Sequence, residues 1–330
     1  MSAQMRANSR SQAEEADDRR LQMLRSAMGP AIQAALDDPD VTEVMLNPDG
    51  RLWLDRHHGG RAPTGVSLSA EDGERIIRLA AAFVRAEVHR ERPLVSVRLP
   101  LYGARFEGVL PPVVYAPTFS IRKHSVAVFR LDDYVCAGIL DAGHADFLRM
   151  AVRERLNILI AGGTSSGKTT LANALLDEIS EGGDRILILE DTPELQCRNE
   201  DRVQLCTLPG VTSMTDLVRS TLRQRPDRII VGEVRGGEAL DLLKALGTGH
   251  PGGLATLHAN SAYGALLRLE QLTLEVVSSP PRALIAEAVN VIVFIAGRGA
   301  ARRVKEVVRV TGLDGDTYLL DPVPATGETP

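Results

Sequence analysis

The stretch "NILIAGGTSSGKTTLANALLDEI", residues 157–179, decides the fold of this chain. An apolar run of strand length leads into Gly162-x-x-x-x-Gly167-Lys168-Thr169, and Leu171, Leu175 and Ile179 then recur every four residues, as one face of a helix does. Glycines let backbone N–H groups converge on phosphate oxygens, and a helix amino terminus adds about half a positive charge. The loop formed by Gly162, Gly163, Thr164, Ser165, Ser166, Gly167, Lys168, Thr169 and Thr170 is therefore read as a triphosphate cradle. In it Lys168 would reach the β and γ phosphates, and the Thr169 hydroxyl would ligate Mg2+.

Outward from the loop, the apolar runs "NILIA", "RILILE", "RIIVGE" and "VNVIVFIA" alternate with helical patterns. Runs without polar alternation are what a parallel sheet covered on both faces needs, so residues 131–322 read as an α/β domain. Two of its strands end on acids: Glu190 and Asp191, with Glu194 beyond, and Gly232-Glu233, with Arg235 two residues on. Carboxylates at the carboxyl ends of parallel strands face the ligand crevice. Glu233 is the residue expected to orient or deprotonate an attacking water, and Glu190 and Glu194 are expected to complete the Mg2+ shell around Thr169. A guanine-reading N/T-K-x-D is absent from the second half, as are the H-R-D and D-F-G signatures of protein kinases. ATP hydrolysis is the chemistry left.

The first half reads differently. Residues 1–25 are polar enough for a disordered tail, and residues 26–130 form an α+β domain. Within it "VTEVMLNPDGRLWLDR" is a hairpin around Asn47-Pro48-Asp49-Gly50, Ser69 and Asp72 open a helix, and "LVSVRL", "ARFEGVL" and "TFSIRK" are short strands. "AVFRLDDYVCAG" carries the chain across, and residues 323–330 read as a flexible tail. The totals exclude several classes. With 330 residues and 44% apolar content the chain suits two soluble domains, and a net charge of −5 lacks the basic footprint of a direct nucleic-acid binder. Three cysteines build neither a disulfide framework nor a four-cysteine zinc site and fit a cytoplasmic setting. The longest apolar run, residues 289–297, is about half of a membrane span.

Four boxes in order, "AGGTSSGKTTLANALL", "ILEDTPELQC", "LRQRPDRIIVGEVRGGEALDLLKALGTGHPGG" and "TLHANSA", resemble the type II/IV secretion ATPase family, and most closely its conjugal-transfer branch. The resemblance spans about residues 40–310 and implies a RecA-like ATPase domain behind a smaller N-terminal domain, with ATP held between the two. It further implies a homo-oligomeric ring, a hexamer, that docks on inner-membrane components of a secretion or conjugation apparatus. By the same likeness Glu190 and Glu194 match the family's acidic box, and Glu233 its second acidic strand. His250 and His258 match its histidine box, and Arg105 and Arg122 match arginines that reach the nucleotide phosphates. His258 is then expected at a strand end facing the γ-phosphate, and His250 at the mobile mouth of the site. "RGGEALD" is shared with Flp/Tad pilus ATPases, the nearest rival branch. A nucleotide-dependent scaffold with negligible turnover is a second alternative, and a DNA translocase a third.

Overall fold

The computed structural model describes residues 3–326 apart from 57–58, 84–85, 100–102, 124–128 and 209, with backbone alone for residues 3–17. The chain divides into two compact units, Met1–Val126 and Ala127–Pro330.

The first unit opens with α1 (Ala3–Asp37), a helix broken in direction at Gly29, where φ is 67°, and Pro30. It runs through the stretch read from sequence as a disordered tail. Polarity suggested disorder there, but Ala, Gln, Glu, Arg and Met are strong helix formers, and the helical backbone follows that propensity. Next come β1 (Val41–Leu46), β2 (Arg51–Arg56), β3 (Gly60–Ser67), α2 (Ala70–Phe83), β4 (Leu94–Arg98), β5 (Arg105–Val109) and β6 (Thr118–Arg122). The strands form one antiparallel sheet in the order β3-β2-β1-β6-β5-β4. The expected hairpin is β1-β2, closed by Gly50 N–H on the Asn47 carbonyl at 2.9 Å with Gly50 at φ 81°. Ser69 Oγ accepts from Asp72 N–H at 3.1 Å and caps α2. In β4, β5 and β6 every second residue is buried, so one sheet face lies under α1 and α2 around Leu24, Ile32, Ile77, Phe106 and Ile121. The other face mixes charged and polar residues with Met45, Trp53 and Leu94.

The second unit contains α3 (Leu131–Cys136), α4 (Ala142–Arg153), β7 (Ile158–Gly162), α5 (Lys168–Ser180), β8 (Ile186–Glu190), β9 (Arg202–Cys206) and α6 (Met214–Thr221). It continues through β10 (Arg228–Val234), α7 (Glu238–Gly247), β11 (Leu254–His258), α8 (Ala262–Thr273), α9 (Arg282–Ala288), β12 (Val291–Ala296), β13 (Arg303–Asp314) and β14 (Thr317–Pro322). Its sheet order is β14-β13-β12-β7-β11-β10-β8-β9. The six strands from β12 to β9 are parallel, and β13 and β14 add an antiparallel edge.

Two hydrophobic cores explain the apolar runs. In β7, Ile158 and Ile160 face one core with Leu171 and Leu175 of α5, while Leu159 and Ala161 face the other with Leu243 and Leu266. Burial on both faces is why these runs are almost wholly apolar. Asn157 pins the amino edge of the sheet, accepting from Gly253 N–H at 2.9 Å and donating to the Ala288 carbonyl at 2.8 Å. Residues 323–326, read from sequence as flexible, are held: Val323 N–H bonds the Val307 carbonyl at 2.8 Å, and Asp141 accepts from the N–H and hydroxyl of Thr326 at 2.8 and 2.9 Å. The rest of that tail, 327–330, lies outside the described residues.

Candidate functional site

The phosphate loop leaves β7 at its carboxyl end and enters α5 at Lys168. Its shape demands its residues. Strand β12 runs so close that a Cβ on Gly162 would lie 2.4 Å from the Ile295 carbonyl oxygen. Gly167 has φ 97°, and Ser165 is held at φ 61°, a conformation non-glycine residues seldom adopt and one that turns backbone N–H groups inward.

Lys168, 7% exposed, donates from Nζ to the carbonyls of Gly162 and Gly163, both at 3.0 Å. The same Nζ lies 3.3 Å from His258 Nδ1, and His258 Nε2 lies 3.0 Å from Glu233 Oε1. Glu233 as a carboxylate only accepts, so Nε2 carries the proton in that contact, while Nζ, also 3.4 Å from Nε2, lies almost equally far from both ring nitrogens. Arg235 donates to Glu233 Oε2 at 2.6 Å and to Asp191 Oδ2 at 3.2 Å. A chain of polar groups thus runs Lys168, His258, Glu233, Arg235, Asp191.

Strand register aims these groups. His258 stands beside Gly162 in the β11-β7 pairing, which puts the imidazole next to the loop. The β10-β11 pairing slips by one residue between Val231 and Val234, and this irregularity carries Glu233 toward His258. Gly232 leaves room for the Glu190 side chain, whose Cγ a Cβ there would meet at 3.0 Å. Burial works to raise the Glu233 carboxyl, but the hydrogen bond and charge of Arg235, aided by His258 and Lys168, hold it below its ordinary value. Burial, joined by the Lys168 charge, lowers His258 despite the pull of Glu233. At neutral pH the pair is therefore a carboxylate and a neutral imidazole.

Two residues sit elsewhere than the sequence suggests. Glu190, expected in a Mg2+ shell, is 2% exposed, and its Oε1 accepts from the N–H groups of Glu194 and Leu195 at 2.7 and 2.8 Å. It ties down the acidic loop, which Asn173 of α5 also holds by accepting from Gln196 N–H at 2.8 Å. His250, expected at the mouth of the site, lies before β11, whereas His258 ends it. The five residues of that strand span about 16 Å, so His250 belongs to the opposite edge of the sheet. A parallel strand must be re-entered from its amino edge, and the "GHPGG" loop is that return. There the Gly252 carbonyl accepts from Arg228 at 3.4 Å.

Arg105 and Arg122 stand directly opposite each other on β5 and β6, and Arg98 of β4 is opposite Arg105. The row continues to Glu43 of β1, opposite Arg122, so one carboxylate faces the end of a line of three guanidinium groups. Sequence reasoning passed over Arg98 and gave Asp191 no role beyond ending a strand; their partners follow only from strand register and the turn after β8. Among the described residues no group of three His, Cys, Asp or Glu side chains could hold a metal ion. The Thr169 hydroxyl, in the first turn of α5, is the donor that would meet a metal ion carried on phosphate oxygens.

A glycine-rich loop opening a helix, with a lysine inside it and an acidic strand end beside it, defines a phosphate-loop nucleotide-binding protein. More narrowly, the chain belongs to the type II/IV secretion system protein family, which matches residues 70–302. It is 47% identical over 305 residues to the probable conjugal transfer protein TrbB of Sinorhizobium fredii, covering 92% of this chain and 93% of that one. It is also 33% identical over 321 residues to the type IV secretion system protein PtlH of Bordetella pertussis, covering 86% of this chain and 94% of that one. The fold is similar to that of the ATPase DotB of Legionella pneumophila, with a TM-score of 0.60 over 83% of this chain and 78% of that one at 19% identity.

Proposed function

We propose that this protein hydrolyses ATP as the motor of a conjugative type IV secretion apparatus. The observation that carries the chemistry is the Lys168-His258-Glu233 contact at the mouth of the phosphate loop. Lys168 would exchange its bonds to the Gly162 and Gly163 carbonyls for the β and γ phosphates, and the Thr169 hydroxyl would help hold a Mg2+ ion, whose charge would offset that of the phosphates. Glu233, ionised and fixed by Arg235 and His258, orients the attacking water and accepts its proton. His258, bonded to both Lys168 and Glu233, registers whether the γ-phosphate has drawn the lysine away. Arg105 and Arg122 keep their assignment to phosphate charge on motif grounds.

The assignment to conjugation follows from the likeness to a conjugal transfer protein over nine-tenths of both chains. Ring assembly, a hexamer, and docking on inner-membrane partners from the cytoplasmic side complete the reading. Among the described residues no helix is long and apolar enough to cross a membrane, which agrees with attachment through partners.

Phosphate release by the purified protein tests the reading. Turnover in the wild type that is lost in Lys168→Ala and Glu233→Gln supports a motor. Equal background rates in all three would leave a nucleotide-dependent scaffold.

A further inference from the structure

Beyond the catalytic cluster, the phosphate loop has a second flank. On one side of β7 lies β11, with His258; on the other lies β12, whose Ile295 is paired with Gly162. After β12 the chain makes a tight turn. Gly297 sits at φ 85°, and a Cβ there would lie 2.2 Å from the Ala301 carbonyl oxygen. The short 3-10 turn Gly299–Ala301 then delivers two consecutive arginines with different fates.

Arg303 clasps the turn, donating to the carbonyls of Ala300 and Arg302 at 2.9 and 2.6 Å. Arg302 instead packs against the phosphate loop at Gly167. A Cβ built on Gly167 would be 2.8 Å from its Nε and 3.1 Å from its Cζ. Its Nε is buried, and among the described residues it has no hydrogen-bond partner. The same holds for the hydroxyl of Tyr134, 3% exposed on α3, which feels the Arg302 charge. A buried donor without a partner is costly, and one placed on a phosphate loop has an evident acceptor.

We propose that Arg302 is a nucleotide-binding residue whose guanidinium grips the diphosphate shared by ATP and ADP. The inference rests on the ATPase reading above and deepens it. The choice of phosphates follows from the flanks. Lys168, His258 and Glu233 gather at the β11 side and define the end where the γ-phosphate is cleaved. Arg302 occupies the β12 side, next to the part of the nucleotide that survives cleavage. A planar guanidinium suits two phosphate oxygens at once. Its work is then to hold substrate and product alike, and so to set how fast ADP leaves.

The test is titration of fluorescent ADP and ATP analogues into the full-length wild type, Arg302→Met, Arg302→Lys and Lys168→Ala, with melting curves as the folding control and steady-state kinetics alongside. Arg302→Met is expected to melt like the wild type and to weaken both nucleotides about 10- to 100-fold, the range of a lost charged hydrogen bond. KM should rise by more than kcat falls, and Arg302→Lys should recover part of the affinity. ADP affinity unchanged in Arg302→Met, or a loss confined to ATP, overturns the assignment while the ATPase reading stands. A wild type that binds neither nucleotide overturns both.

Discussion

Glu233 faces a conflict between readiness and strength. Arg235 and His258 keep it ionised, so it can accept a proton at once, yet the same contacts make it a weaker base. Glu233→Gln keeps the shape and removes the proton acceptor. It should cut turnover by about 10²–10⁴-fold while ATP still binds, as single-turnover and binding measurements would show. His258 is held neutral by burial and the neighbouring ammonium, so its folded pKa lies below the unfolded 6.5. Between those two values the unfolded chain binds the extra proton first. The contribution of His258 to stability is therefore full above pH 6.5 and lost as pH falls toward the folded value. The difference in melting temperature between wild type and His258→Gln should narrow on that acid side, and a difference that is flat with pH would reject the account. His250→Ala, at the far edge of the sheet, should leave the chemical step alone.

Among the elements, β7 and α5 were legible because loop chemistry and periodicity agree over neighbouring residues. Hairpin β1-β2 was legible because its turn residues have a backbone reason to be there. The edge strand β9 was not: its residues alternate between exposed and half-buried, so no hydrophobic pattern marks it. Nor were β13 and β14, where charges interrupt the apolar positions. The position of His250 was misread because sequence order does not say at which edge of a sheet a loop lies, and only strand direction does. Close packing between elements also gives predictions. Gly162→Ala would drive a methyl into the β12 backbone, and a loss of about 1–3 kcal/mol by chemical denaturation is expected, with nucleotide binding impaired. Asn173→Ala frees the Gln196 N–H and the Glu194 carbonyl from α5. About 1–3 kcal/mol of stability should go with it, and hydrogen exchange should rise in residues 194–196.

At the scale of the molecule, each unit encloses its own core: one cluster lies within the first, two within the second. A fragment from Ala127 onward should therefore melt cooperatively by itself, and a broad, non-cooperative transition would show that it leans on the first unit. Native mass measurements with and without ATP test the ring. The clasp of Asp141 on Thr326 bears on the same unit in another way. It ties the last described residues of the chain to the residue that caps α4, so the carboxyl end of the second unit is anchored beside one of its early helices. Such an anchored end can be joined to the start of the unit and the chain opened elsewhere on the surface. A permuted gene that joins residue 326 to residue 131 through a flexible glycine-rich linker, and starts anew at the exposed turn of Gly315, should yield the same sheet in a different reading order.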